Sequence, residues 1–142
     1  MNSTISSFSD KQLGNYFHLK GSNEPVALIR DIGDELIVSF VKDITSPFNA
    51  EQPMPNDKTK CVQEEDLLPI TLNEQLLDEI FIRQEEGLHV MKIEIDGIQT
   101  LLFITQRLDG SYGCSSLRGG IINMRIQYLH ELQNIIHFLH KN

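Results

Sequence analysis

Long apolar runs are missing from this 142-residue chain. No stretch approaches the roughly 18–20 residues that cross a bilayer as a helix, so no membrane span is expected. The opening stretch MNSTISSFSD has neither a basic segment nor an apolar one, so no secretory leader is expected. Position 2 is Asn2, not the glycine that myristoylation requires. The expected location is the cytoplasm of the producing or host bacterial cell.

Cysteine is scarce as well. Cys61 and Cys114 stand far apart, and neither belongs to a Cys-x-x-Cys pair. That excludes the common zinc and redox motifs and predicts two reduced, packed thiols. No G-x-S-x-G, P-loop or G-x-G-x-x-G string occurs. The chain is read as not being an enzyme, and no cofactor or metal is expected.

Clustered positive charge is the third absence. The formal net charge is −8. Residues 61–96 hold ten acids against two bases, while residues 97–142 carry a small positive excess. Phosphate backbones attract clustered Lys and Arg, so nucleic-acid binding is disfavoured. Arg118 and Arg125 are the candidates for a local contact of that kind. An acidic surface instead suits a protein partner with a basic surface.

What is present is strand and helix patterning. LGNYFHLK (13–20) reads as a strand. PVALIRDIGDELIVSFV (25–41) reads as two strands around a turn at Gly33 and Asp34. Residues 42–60 contain three of the five prolines and read as a long surface loop. In it Phe48, between Pro47 and Asn49, is a candidate partner contact. CVQEEDL (61–67) returns to the first sheet. Tyr16 and Phe40 are read as core. Residues 72–82 read as a short helix capped by Thr71 or Asn73, with Leu72, Leu76, Leu77 and Ile80 on its apolar stripe.

GLHVMKIEIDGIQTLLFIT (87–105) reads as a hairpin turning at Asp96-Gly97. Its first strand alternates. Its second contains Leu101, Leu102, Phe103 and Ile104 in succession, which predicts a strand covered on both faces. The core takes one face, and the C-terminal helix is expected on the other. Asp109-Gly110 makes a second turn, RGGII (118–122) a joint, and a helix runs from about Ile126 to His140.

That terminal helix carries three histidines. His130, Asn134, His137 and Lys141 share one side of it. One metal ion cannot bridge His130 and His137, which lie about 10.5 Å apart along the axis. HELQN (130–134) begins like the zincin motif but has Asn134 where the second ligand belongs. The expected role is a polar, solvent-facing flank, with a docking face as the alternative. His130, Asn134 and His137 are therefore candidate partner contacts. So are the acids Glu64, Glu65, Asp66, Glu85 and Glu86.

Three stretches, LGNYF, EEDLLPITLNEQLLDEIFI and IQYLHELQNIIHFL, occur in that order along most of the chain. Together they resemble a family of small uncharacterised proteins from phages, mobile elements and the Bacteroides group. Its members read L-R-I-G-N-Y/W, then I-x-P-I-P-L-T-E-E-x-L, and finally Y-V-H-Q-L-Q-N-L-Y-F-A-L-T-G. His130, Gln133 and Asn134 match the terminal motif. Lys11, Gln12, Leu13, Leu129, Glu131, His137 and His140 depart from the pattern. The resemblance implies an SH3-like N-terminal part, an α+β remainder and a phage or mobile-element accessory role. It also implies a task for His130, Gln133 and Asn134, which capping or buried hydrogen bonds to a neighbouring strand would satisfy as well as a binding site would.

The expected architecture is one α+β domain over 1–142. A small SH3-like antiparallel barrel (13–68) precedes a part (69–142) made of a helix, an antiparallel sheet (87–117) and the C-terminal helix covering that sheet. The expected function is non-enzymatic protein binding, in its sharpest form inhibition of a host defence or nucleic-acid-handling protein. The alternative is nucleic-acid or nucleotide binding by the barrel with Arg118 and Arg125.

Overall fold

The computed structural model describes residues 10–41, 44, 59–95, 97–118 and 120–141, apart from the side chains of His140 and Lys141. Most of the proline-bearing loop, Phe48 and Asp96 lie outside the described residues.

The chain is α+β, with two antiparallel sheets and two helices among the described residues. The first sheet contains β1 (Tyr16–Leu19), β2 (Pro25–Asp31), β3 (Leu36–Phe40), β4 (Thr59–Val62) and β5 (Leu67–Leu68). Their order is β4-β3-β2-β1-β5. The β2–β3 turn forms where Asp31 Oδ1 accepts the Gly33 N–H at 2.9 Å. Gly33 has φ of +93°, a conformation that side chains with a Cβ resist.

The first sheet must curl. β4 and β5 sit at its opposite edges, yet only Gln63 and the 3-10 turn Glu64–Asp66 separate them. A flat five-stranded sheet would place those edges about 19 Å apart, at about 4.8 Å per strand. Such a short turn cannot cover that distance. The result is a half-barrel lined by Phe17, Leu19, Val26, Leu28, Val38, Val62 and Leu67.

Helix α1 (Glu74–Ile80) begins at Asn73, whose side chain accepts the Leu76 N–H at 2.8 Å. Of the two expected caps, Asn73 is the one used. The second sheet follows as β6 (Ile82–Glu85), β7 (Leu88–Ile95), β8 (Ile98–Gln106), β9 (Tyr112–Ser116) and β10 (Met124–Ile126). These pair in the order β10-β9-β8-β7-β6. The expected 87–117 sheet therefore gains a strand at each side. Ile82 and Ile126, expected in helices, lie in these added strands.

Helix α2 (Leu129–Lys141) packs between the two sheets. Leu129, Leu132, Ile135, Ile136 and Leu139 are at most 2% exposed and meet Leu102, Ile104 and Cys114 in the main core. Each such burial contributes roughly 1.5–3 kcal/mol before entropy is counted. Glu131, at the third helical position, accepts the backbone N–H groups of Gln127 at 2.8 Å and Tyr128 at 3.0 Å. That carboxylate satisfies donors at the helix entrance and favours the dipole. Leu129 N–H also bonds Ile70 O at 2.8 Å, and Leu72 N–H bonds Gln127 O at 3.0 Å. The segments leading into the two helices are thus stitched together.

The helix and the core lie on the same side of β8, which corrects one expectation. Leu102 and Ile104 are fully buried against them, while Leu101 and Phe103 on the opposite face are only half-buried. Among the described residues, no element packs over that outer face.

Candidate functional site

The polar side of α2 is an internal clasp. His130 is 5% exposed and Asn134 3% exposed, so the expected solvent-facing flank does not hold for either. Asn15 Nδ2 donates to Asn134 Oδ1 at 2.9 Å, and Asn134 Nδ2 donates to Asp10 O at 2.8 Å. Gln133 Oε1 accepts the Tyr16 N–H at 2.8 Å, and Gln133 Nε2 donates to Gly14 O at 3.2 Å. The His130 ring lies 5.1 Å from Phe17 and stacks on Tyr128 at 6.0 Å. Gln133 and Asn134 thus bond to the segment that leads into β1 and to its first residue, Tyr16. His137 is half-buried. Among the described residues, no group of three His, Cys, Asp or Glu side chains could hold a metal ion.

A second network straps α1 to the second sheet. Arg83 Nε and Nη2 donate to the two oxygens of Asp78 at 2.9 and 2.7 Å. His89 Nε2 lies 2.8 Å from Asp78 Oδ1. Arg83 also approaches Glu74 at 3.5 Å, and Tyr112 OH donates to Glu74 Oε2 at 3.1 Å. The Arg83 fork, then the His89 hydrogen bond, hold the Asp78 carboxyl down at about 2. Burial, then the bond to Glu74, pushes the Tyr112 phenol up to about 12. His89 is completely buried, and its Nδ1 has no hydrogen-bond partner among the described residues. The tautomer protonated at Nε2 costs least, because it donates to Asp78 and leaves Nδ1 a bare acceptor. The His89 ring is sealed from solvent, while the Asp78, Arg83 and Glu74 side chains of the same network are partly exposed. The sequence signal for it was Glu74 and Asp78, one helical turn apart, just ahead of Arg83.

The outer face of the second sheet is different, because it is open. Register places Ile82, Val90 and Phe103 in one row across β6, β7 and β8. One row away lie Glu85, Leu88 and Thr105; on the other side lie Lys92 and Leu101. A bulge in β6 between Arg83 and Glu85 turns Glu85 to this face. Together they line a groove of about 450 Å³. Ile82 is 64% exposed, and Leu117, whose N–H bonds Leu101 O, is 67% exposed. The centre of the groove is apolar, with acid at one end and a lysine at the other.

The expected partner contacts are therefore dispersed. Glu85 lines the groove and Glu86 follows it in the β6–β7 turn. Glu64, Glu65 and Asp66 belong to the turn that joins β4 and β5. Glu64 there lies 3.5 Å from Lys11, and Asp66 accepts the Gln63 N–H at 3.0 Å. Arg125 is held by Ser111 Oγ at 3.2 Å and Asp109 at 3.5 Å, and Arg118 is exposed in the segment between β9 and β10. Cys114 is buried as expected, whereas Cys61 is exposed on β4. A second depression, of about 580 Å³, lies between His18 and Pro25 of the first sheet and the cap Asn73 with Leu76 and Glu79 of α1. Ile44 borders it, and the residues flanking Ile44 are outside the described set.

Comparison with protein-family models, curated proteins and solved structures finds no match to this chain.

Proposed function

We propose that this protein is a non-enzymatic protein-binding protein that docks through the outer face of its second sheet. The observation that carries the reading is the apolar row Ile82–Val90–Phe103, in which Ile82 is 64% exposed, Phe103 half-buried and Val90 buried at the centre, lining a groove between Glu85 and Lys92. Uncovered apolar surface with a polar rim is the usual character of a docking surface. The fitting partner presents an apolar strip with a base facing Glu85 and Glu86 and an acid facing Lys92.

In its sharpest form the protein is a phage or mobile-element accessory. Its acidic residues, concentrated in 61–96, compete with nucleic acid for a basic groove on a host defence or nucleic-acid-handling protein. The SH3-like reading of the first sheet stays with this proposal and is supported by its curl. Nucleic-acid binding through Arg118 and Arg125 is the weaker reading, because Asp109 already offsets the Arg125 charge.

Capture from host lysate tests the proposal when wild type is compared with Phe103→Glu and Leu108→Glu. Leu108 is a fully exposed control on the β8–β9 hairpin. The expected result is a partner retained by wild type and Leu108→Glu and lost by a folded Phe103→Glu. With untagged copies of this chain added to the lysate, equal retention of the partner by all three, or recovery of neither a host protein nor the untagged copy at low salt, overturns it.

A further inference from the structure

Resting on that reading, we propose that the occupant of the outer face is a second copy of this chain. Symmetry favours this occupant. A two-fold interface must be self-complementary, so each residue type must meet its counterpart on the same patch. Consider an axis lying in the interface and running across the strands along the Ile82–Val90–Phe103 row. It lays that apolar row on its own copy. It also exchanges the Glu85–Leu88 row with the Lys92–Leu101 row, because register places these on opposite sides of the central row.

The exchange has a specific chemical result. Glu85 of each copy comes beside Lys92 of the other, twice per dimer. Leu88 of one copy covers the aliphatic stem of Lys92, and Leu101 meets the methyl-bearing side of Thr105. Like charges never face each other within the groove. An acid at both ends, or a base at both ends, would have excluded this packing. Sheets packed face to face stand about 10 Å apart, which leaves room for interdigitated Leu, Val and Phe side chains. The two-sided β8 strand would then be covered on both faces, the condition that Leu101–Ile104 set from the start. The dimer also displays the acidic 61–96 segment in duplicate.

Each copy carries a formal charge of −8, so association is measured near physiological ionic strength, where the Debye length is about 8 Å. Sedimentation of the full chain from low micromolar to several hundred micromolar should show twice the 16.2 kDa protomer mass at the upper end. Glu85→Lys and Lys92→Glu, both at exposed positions, should each raise the dimer dissociation constant roughly three- to tenfold, the rim contact being lost twice. The double swap Glu85→Lys with Lys92→Glu should return it to within about twofold of wild type.

A monomer at every concentration overturns the inference. So does a double swap no tighter than either single variant, or a dimer that persists in folded Phe103→Glu. If the chain is monomeric but Phe103→Glu still abolishes capture of another protein, the second copy is the wrong occupant and the docking face stands. If Phe103→Glu changes neither, both readings fall.

Discussion

Asn15 and Asn134, 119 positions apart in sequence, share a buried hydrogen bond of 2.9 Å that closes the N-terminal sheet onto the last helix. Gln133 makes the same crossing to the backbone on either side of Asn15. These bonds are made by side-chain amides and backbone groups, the Asn15–Asn134 bond buried and the others part-buried, and they hold α2 in one register.

Breaking the clasp should therefore destabilise the fold without affecting the outer face. Asn134→Leu leaves the Asn15 amide without its partner and should cost about 1–3 kcal/mol, read from urea unfolding midpoints at unchanged slope. Gln133→Ala should fall in the same range. Unchanged midpoints would show that water replaces these bonds freely.

Leu132 tests the apolar side of the same helix. Leu132→Ala removes a fully buried side chain from the main core and should cost about 2–5 kcal/mol. Leu108→Ala, at a fully exposed position, should stay within about 0.5 kcal/mol of wild type. Similar losses at both positions would contradict the assigned core.

The contrast between the two sides of α2 shows what the sequence could reveal. Its apolar stripe, the two-sided β8 strand and the DIGD turn follow from local periodicity and turn chemistry, and they led to the α+β class. The burial of His130 and Asn134 did not follow. Helical spacing says that residues share a side, but it cannot say whether that side meets water or a strand more than a hundred positions away. The outer groove was half legible. Leu101 and Phe103 announced a second apolar face, but only the cross-strand register, including the β6 bulge, shows Glu85 and Lys92 at its opposite ends.

Acid should unfold the protein through particular carboxyls. Asp78 and Asp109 both sit at about 2 rather than the ordinary 3.8, Asp78 through Arg83 and Asp109 through the Ser111 hydroxyl and backbone. Between those values the unfolded chain binds more protons than the folded one. Stability that is fully present above about pH 4 is then lost as pH falls toward about 2. Thermal midpoints measured across that interval should decline, and Asp78→Asn should flatten the decline. An unchanged slope in Asp78→Asn would remove Asp78 from the acid response.

The two thiols should differ. Burial pushes the Cys114 thiol up to about 12, whereas Cys61 is exposed. A thiol reagent at neutral to mildly alkaline pH should modify Cys61 in the native protein and reach Cys114 only after denaturation. Rapid native modification of both would mean that the sheet beneath α2 opens easily.

The most direct test of the docking surface is a photo-crosslinker placed at residue 103 of the full chain, activated in the producing cell, with the same group at residue 108 as the control. A discrete adduct from position 103 is expected at the mass of a protein complex, its peptides mapping to β6–β8 of a second copy. Position 108 should give no such adduct. Crosslinking only to water or to this chain's own neighbouring strands would contradict it.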